Sequence, residues 1–193
     1  MQTHKEKATI VTLKEGKLFT TANMVFMALF AAITCILAPL SIPIGPVPVS
    51  LTNLVLYISV YVLGWKRGTI TYLVYLLIGL VGLPVFSGMT GGVGKLAGPT
   101  GGYLIGFIFT VLICGIFVER GGGIWYLSLL GMILGTAVAY ALETAWFCIS
   151  SGTALLPALE LCVFPFLIGD FIKMALALAA GPVISARLKK AVR

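Results

Sequence analysis

The sequence predicts an all-α membrane protein with six transmembrane helices and with both termini in the cytoplasm. Hydrophobic residues make up 60% of its 193 positions and charged residues only 10%, whereas a soluble domain carries about 25% charged residues. The mean hydropathy is +1.10, which excludes a soluble globular fold and an intrinsically disordered chain. Because one span needs roughly 20 apolar residues, the chain has room for a single small polytopic domain.

The first two helices follow a basic arm at residues 1–20. The run from Leu18 to Trp65 contains no charged residue, so it is too long for one span and for the apolar part of a signal peptide. Four prolines interrupt this run, and proline is barred from helix interiors. The expected elements are helices at 21–38 and 50–64 and a short rigid turn at 38–49.

Four further helices are separated by polar or glycine-rich breaks. Lys66 and Arg67 form the first break, a long glycine-rich loop at 84–102 the second, and three consecutive glycines after Arg120 the third. Pro165 is expected to kink the last helix or to end a short first segment of it. The four predicted helices span 68–83, 103–118, 124–149 and 157 to about 180.

Basic residues are distributed very unevenly between the two sides of the predicted bundle. With six spans, the arm, the Lys66–Arg67 break, Arg120 and the C-terminal tail fall on one side and together carry eleven lysines and arginines, while Lys95 alone falls on the other. Cytoplasmic loops carry an excess of Lys and Arg, so both termini are expected inside. We divide the chain into a cytoplasmic basic arm, 1–20, and a six-helix transmembrane domain, 21–193.

Three ionisable side chains fall inside predicted spans: Glu143, Asp170 and Lys173. Such residues are costly in a membrane and are candidates for function. Asp170 and Lys173 are three positions apart and therefore share a helix face. They form either an ion pair that only packs against another helix, or the polar end of a ligand pocket, with Lys173 on a ligand carboxylate and Asp170 on ligand N–H groups. Glu143 has no charged neighbour on its helix face, which favours a position beside a wet cavity.

The glycine-rich segment at 82–103 reads GLPVFSGMTGGVGKLAGPTGGY. A phosphate-binding P-loop needs G-x-x-x-x-G-K-[ST], and here Lys95 is followed by Leu96, so a nucleotide site is not expected. The segment is either an ordinary extracellular loop or a lid over a binding site. Its length, and the aromatic residues Phe86 and Tyr103 that bracket it, favour the lid.

Ala28 and Ala32 form a small-xxx-small pair on the first predicted helix. Small residues four positions apart let a second helix approach closely. That second helix belongs either to this chain or to another protein, and the sequence leaves both open.

We expect no enzymatic activity, no catalytic residue, no metal and no cofactor. The single histidine, His4, lies in the arm. A serine or cysteine nucleophile in the predicted transmembrane domain would therefore have no histidine to act as its base. The four cysteines lie in apolar runs and form no C-x-x-C pair, which indicates buried small side chains rather than a disulfide framework or a zinc site. The basic residues form no patch with interleaved aromatics, so nucleic-acid binding is not expected.

Two other classes of function are alternatives. A membrane-embedded enzyme would use Glu143 and Asp170 as an acid–base pair. An autonomous secondary transporter or channel would be expected to show an inverted repeat and more intramembrane charge, and neither is visible in the sequence.

Several motifs occur in an order that resembles one known family. They are PVPVSLTN at 46–53, GLPVFSG at 82–88, GPTGGY at 98–103 and PFLIGDFIK at 165–173. The pattern resembles the BioY family, the biotin-specific substrate-binding subunits, or S components, of energy-coupling factor (ECF) transporters. The resemblance covers about residues 22–190.

The resemblance implies the S-component fold, with six helices, both termini inside and a ligand held near the outer face of the cell membrane. It implies that the chain binds biotin and works with a transmembrane coupling protein and two ABC-type ATPases. Ala28 and Ala32 match the family's A-x-x-x-A face for the coupling protein. Asp170 and Lys173 match its GD-x-x-K motif, the expected site for the polar groups of biotin.

Two positions depart from the family pattern. Thr52, next to Asn53, stands where a glutamine is usual, and Glu143 stands where a glycine is often found. With these departures noted, the expected substrate-binding residues are Asp170, Lys173, Asn53, Thr52, Phe86 and Tyr103. An S component for another small vitamin is an alternative, and so is the autonomous secondary transporter.

Overall fold

The computed structural model describes residues 18–43 and 45–191, without the side chains of 189–191. Most of the predicted arm, residues 1–17, therefore lies outside the described residues. The first helix begins where it was predicted, at Thr21, and the Thr20 hydroxyl accepts a hydrogen bond from the Asn23 N–H. In chain order the elements are α1 (Thr21–Leu37), β1 (Ser41–Ile42), β2 (Val49–Ser50), α2 (Thr52–Leu80), α3 (Val93–Ala97), α4 (Gly101–Arg120), α5 (Trp125–Ser151), α6 (Leu155–Cys162) and α7 (Phe164–Ala191).

Helix α2 contains two of the six predicted spans, because it folds back on itself at Gly64. This residue has φ 77° and ψ −179°, a conformation that is essentially restricted to glycine. A Cβ built on Gly68 would lie 3.5 Å from Val60 Cγ1, whereas residues eight apart in a straight helix are separated by about 12 Å. The halves 52–63 and 65–80 therefore pack against each other.

The position of this break corrects the prediction that Lys66 and Arg67 separate the two helices. Both residues lie in the first turn of the second half of α2. The Trp65 N–H, which begins that half, donates to Glu119 Oε1 at 3.1 Å. The Glu119 carboxylate on α4 thus accepts from a backbone N–H that has no partner within its own helix. The second half of α2 therefore begins before Lys66 and Arg67.

The described residues form a six-helix bundle in which three helical stretches are long and apolar enough to span a membrane and three helices are shorter. Three stretches, 101–120, 125–151 and 155–188, are long and apolar enough for a span by themselves, and α1 is a shorter apolar helix. The two halves of α2 complete the six-helix bundle. Helices α6 and α7 are separated at Val163 and Pro165 lies in the first turn of α7, so the last span has the short first segment that was expected.

Two of the predicted connections have structure of their own. The proline-rich turn at 38–49 forms a small antiparallel hairpin in which Ser41 pairs with Ser50 and Ile42 with Val49. The predicted loop at 84–102 contains the short helix α3. Neither element was predicted, because prolines and glycines mask the local signals for strand and helix.

The bundle places polar side chains inside and many large apolar side chains outside. Buried polar residues include Ser59, Thr71, Thr110 and Thr136, and each of these hydroxyls donates to a backbone carbonyl of its own helix. Exposed apolar residues occur along all the long helices, such as Ile36, Leu77, Ile149 and Ile168. This distribution is typical of a protein whose outer surface contacts lipid.

Helices α4 and α5 approach closely because glycines lie at their contact. A Cβ on Gly106 of α4 would stand 2.8 Å from Ala139 Cα, and one on Gly135 of α5 would stand 3.0 Å from Thr110 Cα. No side chain fits between backbones at these distances. The pair therefore forms a close-packed unit, as small residues allow between membrane helices.

We expect Gly106→Ala to lower the melting temperature of the detergent-solubilised protein. The added methyl group must push α4 from α5, and overpacking of this kind costs about 1–3 kcal/mol. Gly169→Ala is the matched control, since a Cβ on this helical glycine meets no atom within 4 Å. Equal melting temperatures for the two variants would contradict the close contact.

Candidate ligand-binding site

A cavity lies at the end of the bundle where α4 and α7 begin. It encloses about 520 Å³ of space between protein atoms, including its open mouth. The β-hairpin segment contributes Val47, Pro48 and Ser50, and the first turn of α2 contributes Thr52 and Asn53. The other lining residues are Tyr75, Ser87, Thr100, Tyr103, Leu104, Phe107, Phe166, Asp170 and Lys173.

Asp170 is the centre of the polar part of this cavity. Its Oδ1 accepts from Asn53 Nδ2 at 2.8 Å and from Lys173 Nζ at 3.0 Å, and its Oδ2 accepts from the Tyr140 hydroxyl at 2.6 Å. Lys173 Nζ also donates to the Ser50 carbonyl at 2.8 Å. The two charges are of opposite sign and both residues are buried, so each compensates the cost of burying the other.

The polar cluster keeps unused hydrogen-bonding capacity. An ammonium has three N–H donors, so Lys173 retains one N–H beyond its bonds to Asp170 and the Ser50 carbonyl. The Thr52 hydroxyl shares a 2.9 Å hydrogen bond with the Ser50 hydroxyl. Thr100 Oγ1 is buried and has no partner among the described residues. These groups are available to a polar ligand in the cavity.

Aromatic rings form the apolar wall of the cavity. The Tyr103 ring packs at centroid distances of 5.7 Å from Phe107, 6.1 Å from Tyr140 and 6.0 Å from Phe166. The Tyr103 hydroxyl donates to the Cys162 carbonyl at 2.5 Å, which ties the ring of this α4 residue to the end of α6. A cavity with apolar walls and a few placed polar groups is typical of small-molecule sites.

Five of the six predicted site residues lie together in this cavity. They are Thr52, Asn53, Tyr103, Asp170 and Lys173. Phe86 does not line it: the ring is fully buried and packs edge-to-face on Tyr75 at 5.7 Å. A Cβ on Gly79 would stand 2.1 Å from that ring. Because Gly79 has no side chain, the Phe86 ring fits against it, outside the set of residues that line the cavity.

Sequence reasoning missed several residues of the site. Tyr140 donates to Asp170 from a different helix, and no local pattern indicates that pairing. Ser50, Ser87 and Thr100 reach the cavity from the hairpin, from the glycine-rich loop and from the residue before α4. The last two support the interpretation of the glycine-rich segment as a cover over the site.

The other predicted residues lie apart from the cavity. Ala28 and Ala32 are both exposed on α1, so this pair does not pack against the described part of the chain.

Glu143 is fully buried on α5, where its Oε2 accepts from the Tyr103 N–H at 2.8 Å. Burial lowers the pKa of the Lys95 ammonium on α3, and the carboxylate of Glu143 partly offsets that shift.

The charge distribution gives the cavity an orientation. Lys66, Arg67, Arg120 and Arg187 lie near the helix ends opposite the cavity. Since an excess of basic residues marks the cytoplasmic side, the cavity lies towards the extracellular face.

Comparison with known proteins gives a consistent result. The BioY family model matches residues 7–190. A biotin transporter BioY from Thermotoga maritima is 37% identical over 170 residues, which cover 87% of this chain and 96% of the relative. A probable biotin transporter BioY from Pyrococcus horikoshii is 36% identical, covering 84% of this chain and 93% of the relative.

A solved structure has the same architecture. It is a crystal structure of the S-component for biotin from an ECF-type ABC transporter, with a TM-score of 0.78 and 33% sequence identity. The alignment covers 89% of this chain and 95% of that chain. The similarity therefore extends over most of both chains.

We expect Tyr140→Phe to destabilise the fold by about 1.5–3 kcal/mol, because it removes a hydrogen bond to a charged group and leaves Asp170 Oδ2 without its donor. Thermal unfolding in detergent measures the effect. The matched control is Tyr126→Phe, since Tyr126 lies on the same helix and is 56% exposed. A Tyr140 variant as stable as the Tyr126 variant would show that this hydrogen bond contributes little.

Proposed function

The chain belongs to the BioY family, and we propose that it is the biotin-binding S component of an ECF-type ABC transporter in the cell membrane. The observation that carries this proposal is the buried Asp170–Lys173 pair at one side of an aromatic-walled cavity. The relatives named above are a biotin transporter and a probable biotin transporter, and the solved structure is an S-component for biotin. The chain is a binding and transport subunit and not an enzyme.

The chemistry of biotin matches the groups in the cavity. Biotin has an apolar thioether ring and valeryl chain, a ureido group with two N–H donors and one acceptor, and a carboxylate. The rings of Tyr103, Phe107 and Phe166 suit the apolar parts. The unused N–H of Lys173 can donate to an acceptor oxygen of the ligand. The hydroxyls of the lining threonines can act as donor or acceptor.

Asp170 acts on biotin mainly by arranging its neighbours. Three protein donors already occupy the carboxylate, which leaves about one of its four acceptor positions for a ligand N–H. Two of these bonds hold the Lys173 ammonium and the Asn53 amide in fixed orientations. Such preorganisation reduces the ordering that ligand binding would otherwise require.

Movement of biotin across the membrane requires partner proteins in this proposal. A binding cavity is not itself a source of energy, so uptake depends on ATP hydrolysis by two ABC-type ATPases that act through a transmembrane coupling protein. Ala28 and Ala32 lie exposed on α1, where small side chains permit close approach of a partner helix. We assign this face to the coupling protein.

We expect the protein purified in detergent to release biotin on denaturation, detected by mass spectrometry. Lys173→Met should weaken biotin binding roughly 30-fold or more and should copurify without biotin, since loss of one partner of a buried hydrogen-bonded charge costs about 2–5 kcal/mol. Isothermal titration on folded, monodisperse protein measures the affinity.

Lys66→Met is the matched control, because it removes an exposed lysine at the opposite end of the bundle. If Lys173→Met binds as tightly as Lys66→Met, the pair is structural and lies outside the ligand site. Release of a different vitamin from the unmodified protein would reassign the substrate, and release of none, with no measurable biotin binding, would contradict the proposed function.

We expect replacement of Ala28 and Ala32 by leucine to abolish copurification with the coupling protein and the ATPases while leaving biotin affinity unchanged. The leucines would prevent close helix contact on a face that the described residues leave open. Ala175 and Ala179 provide the control, because they are also exposed, four residues apart, on α7. Equal assembly of the two double variants would place the coupling protein on another surface.

A further inference from the structure

The carboxylate of Glu143 lies in an unusual place for a charged group. Its side chain is fully buried on α5. Its Oε2 accepts from the Tyr103 N–H at 2.8 Å, whereas Oε1 is buried without a hydrogen-bond partner among the described residues. An unpaired buried polar atom costs free energy, so fold stability alone does not account for a carboxylate at this position.

Glu143, on the neighbouring helix α5, provides a hydrogen-bond acceptor for a backbone N–H at the amino end of α4. The first N–H groups of a helix have no partner within the helix, and negative charge is favourable there. The N-cap residue Thr100 makes no side-chain hydrogen bond to this end. Tyr103 is the third residue of α4, and Glu143 supplies the acceptor that a capping side chain would otherwise provide.

The start of α4 is held against α5 at a second point. Trp146, three residues after Glu143, donates its indole N–H to the Gly98 carbonyl at 2.9 Å. A Cβ on Gly102 would stand 2.5 Å from Glu143 Cα, so only glycine permits this approach. Together these contacts fasten residues 98–103 to the last turns of α5.

The fastened segment forms part of the wall of the cavity. Thr100, Tyr103 and Leu104 line it, and Glu143 does not. A shift of the start of α4 would move the Tyr103 ring away from Phe166 and would displace the unpaired Thr100 hydroxyl. Glu143 therefore influences a bound ligand through the segment that it holds.

We propose that Glu143 is a positioning residue for ligand binding, which fixes the amino end of α4 so that Tyr103 and Thr100 present their side chains to the ligand. This inference rests on the proposed biotin-binding function. If the segment is released, only a fraction of the molecules holds it in the binding arrangement, and the apparent dissociation constant rises by the inverse of that fraction. Loss of one hydrogen bond to a charged group shifts the equilibrium between the held and the released segment roughly tenfold.

The test compares Glu143→Ala with Glu143→Gln by isothermal titration with biotin on folded, monodisperse protein, alongside the melting temperature of each ligand-free variant. Glu143→Ala should raise the dissociation constant about tenfold. Glu143→Gln keeps an oxygen that can accept from the Tyr103 N–H, so it should bind within about threefold of the unmodified protein. Glu160→Ala, an exposed carboxylate on α6, should bind without change.

Separate outcomes decide the inference and the proposed function. A failure of the unmodified protein to bind biotin would contradict the proposed function. If the unmodified protein binds and Glu143→Ala has a lower melting temperature but unchanged affinity, Glu143 serves stability alone and the inference is overturned. If Glu143→Ala does not fold, Glu143→Asp decides in its place: its shorter side chain retracts the carboxylate from Tyr103, and normal affinity would equally overturn the inference.

Discussion

The three hydrogen bonds accepted by Asp170 hold together the end of the bundle that contains the cavity. They come from Asn53 on α2, Tyr140 on α5 and Lys173 on α7. Lys173 extends the network to the strand β2 through the Ser50 carbonyl. Because a buried charge is costly unless it is hydrogen-bonded, these elements cannot separate without removing hydrogen-bond partners from the Asp170–Lys173 pair. The constraint that permits an ionised group in the bundle therefore also fixes the geometry of the ligand site.

The remainder of the bundle is held by a different kind of contact. Helices α4 and α5 pack through glycines at 102, 106, 131 and 135, and tyrosine hydroxyls connect helices to carbonyls elsewhere, as Tyr72 does with Leu104 and Tyr75 with Val85. Apolar burial provides little drive for association between helices that face lipid, so close packing and hydrogen bonds take its place. This explains why the buried interior is rich in Tyr, Thr and Gly while Leu, Ile and Val are frequent on the outside.

The sequence was sufficient for the helix count, because apolar runs and polar breaks are direct consequences of the bilayer. It was also sufficient for the pairing of Asp170 with Lys173, which follows from their spacing on one helix. It did not place the break in α2 at Gly64, because that position depends on a backbone torsion and on Glu119 from another helix. The full burial of Phe86 could not be predicted for a similar reason, because it depends on the space that Gly79 leaves on another element. The hydrogen bonds of Tyr140 to Asp170 and of Tyr103 to Glu143 join different helices and residues at least 30 positions apart, for which no local pattern exists.

The binding site and the exposed alanine face use different parts of the chain, and α2 connects them. None of the cavity-lining residues belongs to α1. Met27 and Phe30 of α1 pack in one apolar cluster with Val55, Val62 and Leu63 of α2, while the first turn of the same helix carries Asn53 into the cavity. A partner that displaces α1 would therefore act on the ligand site through α2. This packed pair of helices is the contact through which α1 reaches the ligand site, because the first turn of α2 makes the Asn53–Asp170 hydrogen bond there.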